Sequence, residues 1–264
     1  MVKVKKTECL IGTSGYRYEH WKTVFYPDGI REKEWFTYYS AHFNTVEINN
    51  TFYNLPGSHT FDRWRDRAPR GFRYALKFSR YGSHMKKLKD PESFIYNFTE
   101  RAERLKSFLG PILVQLPPRW KADPERLRNF LKTVPCGHRW AFEFRDTSWL
   151  CEAVYEILKS ENAALCIHDM LEKHPRLLTA DWTYIRFHGN GYSGSYKHQT
   201  LAAWANWIKK RLGDSITVYA YFNNDAQGGA VSNALDLRRY VLGESTLNRV
   251  SYRSLHIPGY FLKR

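Results

Sequence analysis

Eight short apolar runs, most of them separated by helix-length segments and each with a polar or charged residue at or next to its carboxyl end, constrain this chain more than any other feature. They are Glu8–Ser14, Phe43–Ile48, Phe72–Phe78, Ile112–Leu116, Trp140–Phe144, Ala163–Ile167, Trp182–Phe187 and Thr217–Phe222. Near-continuous apolar runs of this length are the mark of strands buried on both faces, as in a parallel sheet covered by helices. Helical periodicity is expected over Glu32–His42, Ser58–Ala68, Pro91–Leu109, Pro124–Leu131, Trp149–Ser160, Leu201–Leu212 and Asn233–Leu242. An α/β architecture with eight such repeats predicts a (β/α)8 TIM-like barrel. The weak point is the link between strands six and seven, where His174–Ala180 is short and contains Pro175. A stunted or irregular connection is expected there, and an open doubly wound sheet is the alternative. With 264 residues and no Gly-, Ser- or Pro-rich linker, one domain over 1–264 is the simpler organisation.

In such sheets the chemistry gathers at the carboxyl ends of the strands. The second run shows the pattern most clearly: Thr45-Val46-Glu47-Ile48 continues into Asn49-Asn50-Thr51-Phe52-Tyr53, residues that a strand interior would not choose. If all eight runs deliver their ends to one mouth, they bring Ser14, Glu47, Asn49, Lys77, Gln115, Glu143 and Arg145 together. His168, Asp169, Arg186, His188, Asn223, Asn224 and Asp225 join them from the last three strands. Glu47 and Glu143 come from strands three apart and are expected to face each other. Such a pair divides acid and base roles, or holds a cation. The plainer alternative is a pair of buried carboxylates neutralised by Arg or Lys. Glu47, Glu143, His168 and Asp169 also form an oxygen- and nitrogen-rich set able to take a divalent metal, although no fixed ligand spacing points to one.

The chain carries a net charge of +15. That implies attraction to polyanions, and excludes nothing about fold. Between Arg63 and Lys89 ten Lys or Arg residues face a single acid, Asp66, with Phe72, Tyr74, Phe78 and Tyr81 interleaved. Basic groups beside aromatic rings suit a phosphodiester backbone with bases to stack. Lys77 and Arg80 fall at the strand's carboxyl end. The aromatic loop Tyr16–Gly29 is expected to bind something or pack as a lid. The Gly-rich stretch Gly189–Tyr196 is expected to form a mobile lid after His188; it is neither a Walker A loop nor a dinucleotide fingerprint. Cys9, Cys136, Cys151 and Cys166 form no Cys-x-x-Cys pair and read as reduced, mostly core residues of a cytoplasmic protein. No run is long enough to span a bilayer, and no signal peptide is expected.

Several motifs occur together. They are Gly12-Thr13-Ser14-Gly15-Tyr16, Phe25-Tyr26-Pro27, the Thr45–Tyr53 stretch, Lys77 with Ser83-His84, and Gln115-Leu116-Pro117-Pro118. Phe142-Glu143-Phe144-Arg145 with Ser148-Trp149, Tyr184–Gly189, and Tyr221–Asp225 complete the series. Their order and spacing resemble the YecE-like family, domain of unknown function 72, over nearly the whole chain. The resemblance implies a TIM barrel and no settled activity. Tyr16, Asn49, Tyr53 and Trp149 lie within these motifs and are expected as ligand contacts, and Asp169 and His188 match the family pattern. Family members look similar in architecture to the barrels of endonuclease IV and xylose isomerase, an analogy at the level of fold. The loop after His188 departs from the pattern by lacking the usual Gly-Arg.

The expected function is to bind or hydrolyse a phosphate-bearing substrate, with nucleic acid the main source of that phosphate. Glu47, Glu143, His188 and Asp169 are the catalytic candidates. Lys77, Gln115, Arg145, Arg186, Asn223, Asn224, Ser14, Tyr16, Asn49, Tyr53 and Trp149 are the binding candidates. The alternatives are a sugar-active enzyme using Glu47 and Glu143, and a nucleic-acid-binding module without catalysis.

Overall fold

Each apolar run forms a parallel strand, and the order of pairing closes them into a ring. The computed structural model describes residues 7–189, 194–225 and 228–243. Its first half runs β1 (Cys9–Thr13), α1 (Trp35–His42), β2 (Thr45–Ile48), α2 (Asn50–Tyr53), α3 (Ser58–Arg67), β3 (Arg73–Lys77), α4 (Glu92–Ala102) and β4 (Leu109–Gln115). The second half runs α5 (Pro124–Thr133), β5 (Trp140–Glu143), α6 (Glu152–Ser160), β6 (Ala164–His168), β7 (Trp182–Phe187), α7 (His198–Gly213), β8 (Thr217–Phe222) and α8 (Gly229–Leu242). The strands pair in the order β1-β8-β7-β6-β5-β4-β3-β2. The two ends of that order meet at one bridge, Ser14 beside Glu47, where the Gly15 N–H donates to the Glu47 carbonyl at 2.8 Å. This is a nearly closed (β/α)8 barrel, not an open sheet.

The seam between β1 and β2 is held by a side chain. The Tyr39 hydroxyl, reaching in from α1, accepts the Thr13 N–H at 3.1 Å and donates to the Thr45 carbonyl at 3.0 Å. It therefore occupies the place of a missing ladder bond. Gly12 permits the approach, because a Cβ there would lie 2.3 Å from the Thr45 carbonyl oxygen.

Between β6 and β7 the connection has no helix among the described residues, as the short, Pro-containing segment requires. Thr179 fixes it by accepting the Leu165 N–H at 2.8 Å and donating to the Ala163 carbonyl at 2.7 Å. The expected helix Pro91–Leu109 is shorter. It ends at Ala102 and passes into a 3-10 segment, Glu103–Phe108, in which Lys106 adopts a left-handed φ of 52°. The polar stretch after β2 is one helical turn, α2, anchored by the Thr51 hydroxyl donating to the Lys77 carbonyl at 2.7 Å.

The strands separate two apolar populations with period two. Leu10, Ala75, Leu113, Ala141, Ala164, Cys166, Trp182, Tyr184, Tyr219 and Tyr221 fill the lumen. The alternate positions pack outward against the helices. Carried two residues further, the inward phase delivers Lys77, Gln115, Glu143, His168 and Arg186 to the carboxyl end of the lumen. The aromatic loop after β1 belongs to the outer population. Trp21, Phe25 and Tyr26 are buried, and Tyr26 stacks on Trp35 at 4.7 Å, so the loop is part of the core and not a lid. Cys166 is buried and Cys9 and Cys151 are half-buried, but Cys136 is exposed, so the expectation of core cysteines does not hold for Cys136. Among the described residues no helix is long and apolar enough to cross a membrane.

Candidate functional site

At the carboxyl end of the lumen one arginine joins the two carboxylates. Arg186, inward on β7 and 1% exposed, donates from Nη2 to Glu47 Oε1 at 2.8 Å and from Nη1 to Glu143 Oε2 at 2.7 Å. Glu47 also accepts from the Ser14 hydroxyl at 2.6 Å and from the Tyr184 hydroxyl at 2.7 Å. Glu143 accepts from Arg145 Nε, two residues along the same face. Burial pushes the Glu143 carboxyl up, but Arg186 and Arg145, with smaller help from His188 and His168, outweigh it and hold the group well below the usual carboxylate range. The pair does face across the mouth as expected, but its oxygens are already engaged by guanidinium groups.

His188 and Asp169 sit beside this floor. Asp169 Oδ1 accepts the His188 N–H at 2.9 Å and lies 3.2 Å from Nδ1, while Arg145 Nη2 approaches Nε2 at 3.2 Å. With Arg145 donating to Nε2, the proton of a neutral ring sits on Nδ1 and faces Asp169. Burial lowers the His188 pKa, with Asp169 opposing. Tyr196 donates to the other Asp169 oxygen. His168 has both nitrogens in use, Nε2 donating to the Phe144 carbonyl at 2.8 Å and Nδ1 accepting from the Met170 N–H at 3.2 Å. Burial lowers its pKa to about 4. These bonds explain why Glu47, Glu143, His168 and Asp169 do not converge: among the described residues no three His, Cys, Asp or Glu side chains are placed to hold a metal.

Lys77 differs from its neighbours. It is inward, 8% exposed, and its ammonium lies 4.2 Å from the centre of the Phe52 ring. Among the described residues it makes no side-chain hydrogen bond and no ion pair. Burial, then the nearby Arg186, lower its pKa to about 8, against the opposing pull of Glu143 and Glu47. His84 packs on the same Phe52 ring at 5.0 Å, and its pKa is lowered to about 4 by burial and then by Lys77.

The rim above is basic and aromatic. After β3 the chain forms a π-helical turn, Tyr81–Met85. Three residues then take left-handed φ within four positions: Lys87 at 49°, Leu88 at 62° and Asp90 at 47°. Non-glycine residues pay conformational energy there, and such strain concentrates at functional sites. The turn is held by the Lys86 N–H to the Tyr81 carbonyl at 2.8 Å and the Leu88 N–H to the Gly82 carbonyl at 2.9 Å. Arg80, Tyr81, Met85, Lys87 and Lys89 are exposed, and Tyr53, one loop away, is 75% exposed.

The remaining candidates are dispersed. Gln115 and Asn223 are half-buried at their strand ends, and Asn49 is half-buried ahead of α2. Asn224 falls on the opposite phase and bonds Gly194 and Asn233, towards α8. Tyr16 packs on Phe36 and Tyr39 in the outer layer. Trp149 is buried, donates to the Trp120 carbonyl at 2.7 Å and stacks on Phe144. The structure thus moves Asn224, Tyr16 and Trp149 from expected ligand contacts to packing. Asp225 is held by Trp21 Nε1 at 2.7 Å and by His20. Tyr18, absent from the expected set, donates to the Ser14 carbonyl at 2.5 Å, and its hydroxyl feels the charges of Asp225, Glu47 and Arg186. Its spacing carries no motif, so only the fold reveals it. Residues 190–193 of the glycine-rich stretch, expected as a lid, lie outside the described residues.

The basic stretch 63–89 divides along β3. Arg65 pairs with Asp62 and Asp66, Arg67 bonds the Lys33 carbonyl, and Arg73 approaches Glu8 at the amino end. Lys77, at the carboxyl end of β3, is the first of the run that the strand carries to the mouth. A cleft of about 780 Å³ opens at the amino end, with Glu8, Arg73, Glu103, Arg139 and Glu161 on its walls. Its charges are mixed, and Arg139 is engaged with the Tyr219 hydroxyl at 2.5 Å.

Comparison with known proteins agrees with this architecture. A family model described as "Protein of unknown function DUF72" matches residues 10–252. Among curated relatives, UPF0759 protein YecE of Escherichia coli K12 is 29% identical over 119 residues, which are 45% of this chain and 44% of that protein. The match therefore spans less than half the length of YecE. UPF0759 protein YunF of Bacillus subtilis 168 is 24% identical, with 79% of this chain and 86% of that protein covered. The crystal structure of a DUF72 family protein from Thermotoga maritima MSB8 superimposes with a TM-score of 0.80 at 28% identity, covering 90% of this chain and 100% of that chain. One from Enterococcus faecalis V583 gives a TM-score of 0.73 at 20% identity, a likeness of fold.

Proposed function

The chain belongs to the DUF72 family, and we propose that the carboxyl-end mouth of its barrel binds a phosphate-bearing ligand, with nucleic acid as the source of the phosphate. The observation that carries this reading is the rim after β3. There Arg80, Lys87 and Lys89 stand exposed beside Tyr81 and Met85, on a strained turn above a lysine with no carboxylate partner among the described residues. Exposed cations that track a backbone, beside rings on which bases stack, are the recurring means of gripping single-stranded nucleic acid. Lys86, 5.8 Å from the Tyr81 ring, adds charge to the same turn.

Binding has more support than hydrolysis by either carboxylate. Glu47 and Glu143 are fully buried and hydrogen-bonded to Arg186, Arg145, Ser14 and Tyr184, which suits them to fix the floor of the mouth. A general base needs a lone pair within reach of the proton it takes. The same engagement counts against acid–base work on a neutral sugar.

With a net charge of +15, weak attraction to any polyanion is expected from the whole surface. The test therefore compares two triple charge reversals. Arg80→Glu, Lys87→Glu and Lys89→Glu together are expected to weaken binding of a fluorescent single-stranded oligonucleotide by at least about tenfold by anisotropy. Lys132→Glu, Lys209→Glu and Lys210→Glu, on α5 and α7, change the net charge equally and are expected to cost much less. Equal losses in the two proteins would contradict a site at the rim.

A further inference from the structure

We propose that Lys77 is a nucleophilic amine that forms an imine with a carbonyl compound carrying a phosphate group. The geometry has three parts. Lys77 ends β3 and points into the mouth, where a ligand held by the rim would meet it. Its side chain rests on Phe52 and has no hydrogen-bond or ion-pair partner among the described residues, so nothing described there ties up the amine. Arg186 and Arg145 already serve the carboxylates, which leaves Lys77 with two cationic neighbours and no anion in contact.

Desolvation beside other cations is the established way of making a lysine nucleophilic near neutral pH. With its pKa lowered to about 8, Lys77 presents a substantial fraction of free amine where an ordinary lysine presents almost none. His84 supplies the proton transfers. It packs on the same Phe52 ring, and its Nδ1 is 3.0 Å from the Ser83 hydroxyl, while Nε2 has no hydrogen bond among the described residues. Burial and Lys77 keep the ring neutral, so it passes a proton on to the carbonyl oxygen and does not hold one.

The step balances without any oxidant or reductant. The Nζ lone pair attacks the carbonyl carbon, the C–N bond forms, and the C=O π pair moves to oxygen. The proton leaving Nζ passes through His84 to that oxygen. Loss of one water from the carbinolamine then gives the imine. Such an imine acts as an electron sink for breaking a bond next to the former carbonyl carbon. Two sources share this chemistry: an open-chain sugar phosphate and an abasic sugar within a nucleic acid strand. The inference rests on the phosphate-ligand reading for the phosphate, and on the position of Lys77 for the imine.

Trapping tests it. The wild-type protein is incubated with pyridoxal 5′-phosphate or with pyridoxal, reduced with borohydride, and mapped by peptide mass spectrometry. The expected result is one adduct on Lys77, formed at least about tenfold faster with the phosphorylated probe and with half-maximal rate near the lysine's lowered pKa of about 8. Adducts spread over exposed lysines, with Lys77 unmodified, would overturn the imine. If the oligonucleotide still binds in that case, the phosphate reading survives alone. Equal labelling of Lys77 by both probes would uphold the amine and remove the phosphate. Lys77→Arg keeps the charge but has no amine able to form an imine, and is expected to lose the adduct. Ribose 5-phosphate and an oligonucleotide with one abasic site, trapped in the same way, separate the two sources.

Discussion

Replacing Arg186 with methionine is expected to lower the stability of the barrel by about 3–5 kcal/mol, the usual cost of removing one partner from a buried ion pair. Two buried carboxylates, Glu47 and Glu143, lose their shared guanidinium, and each is too deeply buried to recover water. For a chain of this size the loss corresponds to a fall in Tm of roughly 10 °C. Arg186→Lys is expected to recover little, because a single ammonium cannot bond both carboxylates in the geometry of a planar fork. The effect also has a sign with pH. In the wild type Glu143 is held below its ordinary value, so it contributes stability above the unfolded pKa of about 4.3, and that contribution is lost as pH falls through the folded value. Without Arg186 the burial that pushes this carboxyl up is opposed by less charge, and protonation relieves the variant. The difference in stability between the two proteins should therefore narrow between pH 7 and about pH 4 in thermal melts. A pH-independent difference would contradict the assignment of Glu143 as an ionised member of the network.

The second large effect is expected from Gly12→Ala. A Cβ at this position meets the Thr45 carbonyl oxygen at 2.3 Å and the Tyr39 hydroxyl at 3.0 Å, and the first of these is backbone. Either β1 moves away from β2 or Tyr39 gives up its bridge between Thr13 and Thr45. Overpacking of this kind costs about 1–3 kcal/mol, and the upper end is expected because the closing seam of the barrel is what opens. The damage reaches the mouth, since Ser14 and Glu47 form the one strand bridge across that seam. Gly57→Ala is the control. A methyl group added at Gly57 would meet nothing within 4 Å, and the φ there is −65°, so the Tm should change by no more than a degree or so. Similar behaviour of the two variants would show that the seam is not a point of close approach.

The barrel was legible in the sequence because eight apolar runs cannot be buried on both faces in many other ways. The site was legible where it obeyed strand alternation. Glu47, Glu143 and Arg145, and Arg186 and His188, share the inward phase, and the structure finds them together. Asn224 was misplaced by one residue of phase, which in a strand is the difference between lumen and helix layer. Trp149 and Tyr16 lie beyond their strands, where alternation no longer constrains direction, and both found apolar partners. The charge run 63–89 looked continuous because sequence distance ignores that β3 carries the chain from one end of the barrel to the other. The role of Tyr39 at the seam had no sequence signal: a tyrosine on an apolar helix face reads as core, and its hydroxyl acquires a partner only once β1 and β2 are placed. The strained turn at Lys87–Asp90 was likewise hidden, since none of its residues is one that left-handed φ favours strongly apart from Asp90.

The most direct measurement of the central claim is the affinity of the wild-type protein for a single-stranded oligonucleotide as a function of salt. Each phosphate contact releases counterions and contributes about 0.7 to the slope of log K against log salt concentration. Contacts from Arg80, Lys87 and Lys89, with Lys86 alongside, predict a slope of roughly −2 to −3, reduced to about −1 or less in magnitude by the rim triple reversal and left nearly unchanged by the reversal on α5 and α7. Absence of binding at about 20 mM salt, or a slope that the rim reversal does not alter, would contradict a phosphate-binding mouth.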